Sequence, residues 1–408
     1  MLDIKFIRQN PEKVKEGIAK KRADVDIDRL LELDEEKRQL LAQSESLRAE
    51  QKKLGKEQIE KAQAVKAEIK NIDPKLAEIE KELDSLLRQI PNLPLDEVPE
   101  GKDDSENAVL REEGGKPEFD FKPKDYLEIA EALDLIDVKR AAKVAGSRFG
   151  YLKKEAVLME FALVNLALET LSEEGFTPVV PPVMLKPEMM QAMGYTERGG
   201  DEIYFLEKDN LYLIGTSEQS IGAMHAGDVF KEEELPKRYA GFSTCFRREA
   251  GAYGKDTKGI LRVHQFDKVE MFSFCSPEKS KEEHQLLLRM EEKLMQSLKL
   301  PYRVINICSG DLGDPAAAKY DIEAWMPGQG EYRETHSTSN CTDWQARRLN
   351  VKYRSGETGK LEFVHTLNGT AFAIGRMLIA IIENYQKKDG SVEVPKVLQK
   401  YLGIKKIG

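Results

Sequence analysis

Between residues 28 and 90 the chain repeats itself every seven residues, and that repeat leaves it few ways to fold. Ile69, Leu76, Leu83 and Ile90 recur at this interval, and Ile72, Ile79 and Leu86 interleave at the three/four offset. Alternate steps of three and four draw one apolar stripe along a helix, and such a stripe is buried only against another helix. The preceding half offers the partner. Leu33, Leu40, Leu47 and Leu54 recur every seven residues too, although the alternate positions Lys37, Ser44 and Gln51 are polar. Gly55 and its neighbours supply a turn, so the two halves pair as an antiparallel helical hairpin. Asp73-Pro74 suits a helix restart or a kink in the returning half.

Charge on the hairpin is uneven. Arg48 to Lys70 holds seven cations, among them Arg48, Lys52, Lys53 and Lys56, against four anions, in a chain whose net charge is -9. Two readings stand: a solvated helix face, or a tip that touches phosphates. The acidic balance argues against a protein that coats nucleic acid along its whole surface, so any such contact belongs to a local patch. No stretch approaches the roughly 18 apolar residues of a membrane span, and the N-terminus has no apolar core of a secretion signal, so a cytoplasmic protein is expected. Cys245, Cys275, Cys308 and Cys341 are dispersed and the five histidines form no ligand pair, so no structural zinc or disulfide framework is expected.

After the hairpin comes "PNLPLDEVPEGKDDSENAVLREEGGKPEF", rich in Pro, Gly and acid, which reads as a domain boundary. An N-terminal domain over 1–103 and a second over 104–408 are expected. In the second, amphipathic helical stretches alternate with β-rich runs, and hairpin-like pairs suggest an antiparallel sheet flanked by helices, an α+β domain. Neither GxGxxG nor GxxxxGK[ST] occurs. One hairpin stands out: "FRREAGAYGKDTKGILRVHQF", Phe246 to Phe266. Arg247 ends its first strand, while Phe266 and Glu270 lie four apart on one face of the second. An arginine fork, a loop able to close over a polyphosphate and an aromatic for a purine ring make a coherent nucleotide site.

The same stretch, extended to "FRREAGAYGKDTKGILRVHQFDKVEMF", resembles motif 2 of the class II aminoacyl-tRNA synthetases in the form of the seryl-tRNA synthetases of bacterial type. "EEGFTPVVPPVML", with Pro182 in the characteristic proline's place, resembles motif 1, and "LNGTAFAIGRMLIAIIENYQ" resembles motif 3. "GTSE", "SGDLGDPAAAKYDIEAWMPGQGEYRE" and "TSNCTDWQARRLN" follow in the family's order, and the likeness covers almost the whole chain.

The resemblance implies ATP-dependent ligation of L-serine to tRNA(Ser) through seryl-adenylate, with tRNA(Sec) open as a second acceptor, by a homodimer whose motif 1 helps form the interface. It implies that Arg247 bridges the serine carboxylate and the α-phosphate, that Phe266 stacks on adenine, that Glu249 orients ATP, and that Arg376 holds the γ-phosphate. Arg248, Thr335 and His336 flank the ATP site in this reading, and Glu334 and Ser337 serve the ATP-bound Mg²⁺. Thr216, Ser217, Glu218, Arg247, Glu270, Asn368 and Thr370 form the serine pocket. Arg48, Lys52, Lys53 and Lys56 are the expected tRNA contacts on the arm. Three places depart from the commoner pattern: Arg248 where many relatives carry a small residue, the variable "ETHSTSN" around His336, and Ala145 in place of a frequent Ser beside "GSRF". A serine:carrier-protein ligase and a catalytically inactive paralogue that binds RNA are the competing readings.

Overall fold

The computed structural model describes residues 1–54, 58–197, 200–250 and 258–408. It contains two compact units, Met1–Leu93 and Pro94–Gly408.

In the first unit, α1 (Ile4–Gln9) and α2 (Pro11–Lys20) precede the long helices α3 (Ile27–Lys53) and α4 (Ile59–Gln89). Asp26 caps α3 by accepting a hydrogen bond from the Arg29 amide. The heptad stripe faces inward: Val65, Ile72, Leu83 and Leu87 of α4 are buried, as are Leu30, Leu33 and Ser44 of α3. α4 runs through Pro74 without restarting. Ion pairs Arg29–Glu82, Lys37–Glu80, Arg48–Asp73 and Lys61–Glu50 link the helices in antiparallel order. Each is exposed and adds little stability, but together they suit one register. At the base, Ile7, Val14, Ile18 and Ile27 join Leu30, Leu33, Leu83 and Leu87 in a small core.

The second unit is built on an eight-stranded sheet: β1 (Ala108–Glu113), β2 (Thr177–Val179), β3 (Lys237–Phe246), β4 (Gln265–Cys275), β5 (Tyr302–Asn306), β6 (Ala318–Met326), β7 (Glu331–Asn340) and β8 (His365–Ala373). The spatial order is β1-β5-β6-β7-β8-β4-β3-β2. Every pairing is antiparallel except that of the short β2 with β3. The expected α+β architecture, a helical arm followed by an antiparallel sheet flanked by helices, is what the chain adopts.

Alternation along β4 divides the sheet's two faces. Val269 and Met271 enter the larger core with α5 (Glu155–Glu173), α7 (Ser280–Leu298) and α8 (Ile374–Asn384). Phe272 and Phe274 enter a second core on the other face, beside α6 (Ser217–Met224). Phe266, Lys268 and Glu270 share the parity of Phe272, and here the opposite face is left open as the floor of a cavity.

The units divide between Leu93 and Pro94, ahead of the boundary expected at 103. Apolar contact explains the shift. Leu95 and Val98 pack with Ile305, Ile307 and Leu312, so the Pro-rich segment is a strap on the second unit.

Candidate active site

Two cavities share a wall on the open face of the sheet. The smaller, about 90 Å³, is bordered by Phe266, Glu249, Arg262, Thr335 and Arg376. The larger, about 630 Å³, reaches Thr216, Glu218, Glu270 and Asn368. Arg247, Lys268, Glu334, Ser337 and Arg376 border both.

Arg247 follows directly on β3. Its Nε donates to the Gly215 carbonyl at 3.1 Å, and its guanidinium lies 5.3 Å from the centroid of Phe266. This tether fixes the charge between the aromatic and the carboxylate-lined end. Glu249 adopts a left-handed backbone, φ 51°, and accepts an ion pair from Arg262 at 3.3 Å. A left-handed glutamate is unfavourable on its own, so the surrounding turn must enforce it.

α8 begins at Ile374, so Arg376 stands in its first turn, at the helix end that favours anions. Its charge is not left unpaired in the apolar helix: it donates to the Glu334 backbone carbonyl at 2.9 Å and pairs with the Glu334 carboxylate at 3.2 Å. Burial among protein atoms raises the Glu334 pKa, but the cations Arg376, Lys319 and Arg247 outweigh it and hold the carboxyl at about 2. The side chain still keeps 45% of its surface open to the cavity, so it can meet a ligand. Glu334 and Ser337 are three apart on β7 and both border the cavity. A carboxylate and a hydroxyl are hard oxygen donors suited to Mg²⁺, which commonly takes one or two protein ligands together with phosphate oxygens.

At the other end, Thr216 caps α6 and accepts from the Glu218 amide at 3.3 Å. Glu218 is buried, and its Oε1 accepts from Gln345 Nε2 at 3.1 Å. Burial, reinforced by the nearby Glu270 charge, pushes its pKa up to about 7. Glu270 is 2% exposed and lies opposite Thr370 in the β4–β8 register. A carboxylate this deep needs a partner, and Lys268, two residues earlier on the same strand face, forms an ion pair with it.

The structure thus brings Arg247, Glu249, Phe266, Glu334, Thr335, Ser337, Thr370 and Arg376 to the smaller cavity, and Thr216, Glu218, Glu270 and Asn368 to the larger one. Three expected residues border neither. Ser217 is buried beneath the floor, where its hydroxyl donates to the Gly241 carbonyl at 3.3 Å. The Arg248 side chain is exposed outside both. His336 points to the opposite face of β7, where its ring packs 5.8 Å from that of Phe372 and burial pushes its pKa down to about 3. On the arm, Lys52 and Lys53 are exposed, Arg48 is paired with Asp73, and Lys56 lies outside the described residues.

Arg262, Lys268 and Lys319 were not anticipated. Lys319 lines the larger cavity, where burial pulls its pKa down but Asp321 and Glu334 outweigh that and raise it to about 12. Lys268 had a sequence signal, its two-residue spacing from Glu270. Lys319 had none without the strand pairing.

Comparison with known proteins decides the family. The model of the seryl-tRNA synthetase N-terminal domain matches residues 1–94, and that of the class II tRNA synthetase core domain (G, H, P, S and T) matches 204–385. A serine–tRNA ligase of Dictyoglomus turgidum is 48% identical, covering 100% of this chain and 99% of the relative.

The chain belongs to the seryl-tRNA synthetase family.

Solved structures of that family superpose along its whole length. Seryl-tRNA synthetase from Pyrococcus horikoshii, complexed with ATP, gives a TM-score of 0.93 at 44% identity, covering 100% of this chain and 99% of that one. The cytoplasmic serine–tRNA ligase of Naegleria fowleri, in complex with AMP, gives 0.91 at 40% identity, covering 100% and 98%. Family membership accounts for the class II core and for the N-terminal helical arm together.

Proposed function

We propose that this chain activates L-serine with ATP and transfers it to tRNA(Ser). The observation that carries the reading is the shared wall at Arg247, between a cavity with an aromatic and arginines and one with buried carboxylates. A planar, permanently charged fork suits two oxyanions at once, here the serine carboxylate and the α-phosphate. The serine carboxylate attacks the α-phosphorus, and pyrophosphate leaves. The 3′-hydroxyl of the tRNA terminal adenosine then attacks the carbonyl carbon of seryl-adenylate, releasing AMP and a proton. Neither step needs an enzyme nucleophile, so catalysis rests on positioning and charge stabilisation.

In this reading adenine stacks on Phe266, Glu249 orients ATP, and Arg376 meets the γ-phosphate at the N-terminus of α8. Glu334 and Ser337 would hold Mg²⁺, which neutralises triphosphate charge when bound. Glu218 faces the substrate ammonium, while Glu270 and Thr370 read the serine hydroxyl. The protein works in the cytoplasm as a homodimer, and the arm holds tRNA through Lys52, Lys53 and their neighbours.

Serine-dependent ATP–pyrophosphate exchange, followed by charging of transcribed tRNA(Ser) and tRNA(Sec), tests the proposal. Exchange and tRNA(Ser) charging are expected. Exchange without charging would move the reading to a carrier-protein ligase, and neither activity would move it to an inactive paralogue.

A further inference from the structure

Asp321 is a buried carboxylate to which the reaction scheme gives no task. It is 7% exposed, and only one of its oxygens is accounted for: Oδ2 accepts from Lys319 Nζ at 3.1 Å, while Oδ1 has no hydrogen-bond partner among the described residues. An unsatisfied buried carboxylate oxygen is costly, and its persistence calls for a reason.

Its position on the sheet supplies one. Along β6, Ile322 and Ala324 enter the helix-covered core, so Lys319 and Asp321 belong to the other face, where Lys319 borders the larger cavity. In the antiparallel β6–β7 register Asp321 is the direct partner of Ser337, and the register shift comes only beyond Ile322. Directly opposed residues bring their side chains within contact range on one face. Asp321 does not border the cavity but Ser337 does, so the carboxylate stands behind the hydroxyl rather than beside it.

We propose that Asp321 is the positioning residue for Ser337 as a cation ligand, an inference that rests on the reading of Glu334 and Ser337 as the Mg²⁺ site. A serine that offers an oxygen lone pair to a cation must direct its O–H elsewhere. When a cation engages the Ser337 oxygen, the hydroxyl hydrogen turns to Asp321 Oδ1, which has no other partner among the described residues, and this fixes the rotamer of Ser337 and makes its oxygen the better donor. Carboxylates behind metal-bound side chains act in this way, and their loss typically weakens metal affinity by about 10–100-fold. Lys319, on the other oxygen, holds the carboxylate in place.

The test is Mn²⁺ binding by electron paramagnetic resonance with ATP and without serine, so that no turnover occurs. Asp321→Asn should weaken protein-bound Mn²⁺ by about tenfold or more. Ser337→Ala should show a loss of the same order, and the double variant should bind no worse than Ser337→Ala alone. If Asp321→Asn does not fold, Asp321→Ser replaces it with the same expectations. Wild-type affinity in the Asp321 variant or additive losses in the double variant would each overturn the inference. Glu334→Gln separates it from its premise: undiminished Mn²⁺ binding in both Glu334→Gln and Ser337→Ala would remove the metal site itself.

Discussion

Glu218 and Glu270 place two carboxylates in the larger cavity, in different surroundings: Glu218 accepts from Gln345, whereas Glu270 pairs with Lys268. With its pKa raised to about 7, Glu218 is largely neutral below that pH and ionised above it. Serine keeps its cationic ammonium across this range, so the KM for serine should fall about tenfold between pH 6 and 8 as one group ionises. In Glu218→Gln the profile should be flat, and an unchanged slope would detach Glu218 from the ammonium. The same shift bears on stability. A folded-state pKa above the ordinary 4.5 gives stability that is present below the unfolded value and lost as pH rises through 7, roughly 3 kcal/mol in all. Glu218→Gln should therefore be more stable than wild type, with a gap in melting temperature that widens from pH 5 to pH 8. In the proposed reading Glu270 governs selectivity. Alanine is smaller than serine, so only a reward for the hydroxyl can exclude it, and a site built for a hydroxyl rejects its absence by roughly 10⁴-fold. Glu270→Gln, measured by exchange with both amino acids, should narrow the serine-to-alanine ratio in kcat/KM by at least about tenfold; a constant ratio would show that Glu270 does not read the hydroxyl. Residues such as Arg247, Phe266 and Glu270 were legible because one hairpin carries them at fixed spacing. Asp321 and Lys319 were not, since their neighbour Ser337 comes from another strand. His336 and Ser217 were misplaced for the converse reason: proximity in sequence to a site residue does not fix the face on which a side chain emerges.

Among the elements, the arm was the easiest to read and its polar half the hardest. The returning helix declares itself by an unbroken apolar seam. The outgoing one places Lys37, Ser44 and Gln51 at seam positions, and tertiary pairing overrides that pattern: Ser44 is buried and Lys37 reaches Glu80 at 3.0 Å. Proline tolerance was not legible either, because α4 passes Pro74 intact. The structure also shows where the arm can be cut. Leu33 and Leu83 belong to the core at its base, so removing residues 38–78 and closing the ends with a short Gly-Ser turn keeps that core. This deletion should leave serine-dependent exchange within about twofold of wild type while charging of tRNA(Ser) collapses, since the lining of both cavities lies wholly in the second unit. Charging at wild-type efficiency would refute the role of the arm. Finer still, Lys52→Ala with Lys53→Ala should lower the slope of log affinity against log salt by about 1–2, the signature of lost phosphate contacts.

On the scale of the molecule, the second unit carries apolar surface that its own core does not use. Leu158 and Phe161, three apart on one face of α5, are each 53% exposed, and Val144 and Val180 are more open still. All four lie in or near the stretch that leads through motif 1, which is where a second copy is expected to dock. A monomer seldom exposes such a run of large side chains without a partner. In a two-fold dimer each residue is buried twice, and docking can cover only the exposed half of Phe161, so replacing it removes about 1.5–3 kcal/mol of apolar burial from the pair, before the added cost of burying two carboxylates. Phe161→Glu should therefore raise the dimer dissociation constant by about a hundredfold or more. Sedimentation at micromolar concentration should find wild type at twice the 46.3 kDa of the chain and the variant at or near the single-chain mass. If the interface also braces the catalytic sheet, exchange activity in the variant should rise again with protein concentration, in step with dimer formation. A wild-type protein that sediments as a monomer and exchanges pyrophosphate at full rate would leave this face to another partner.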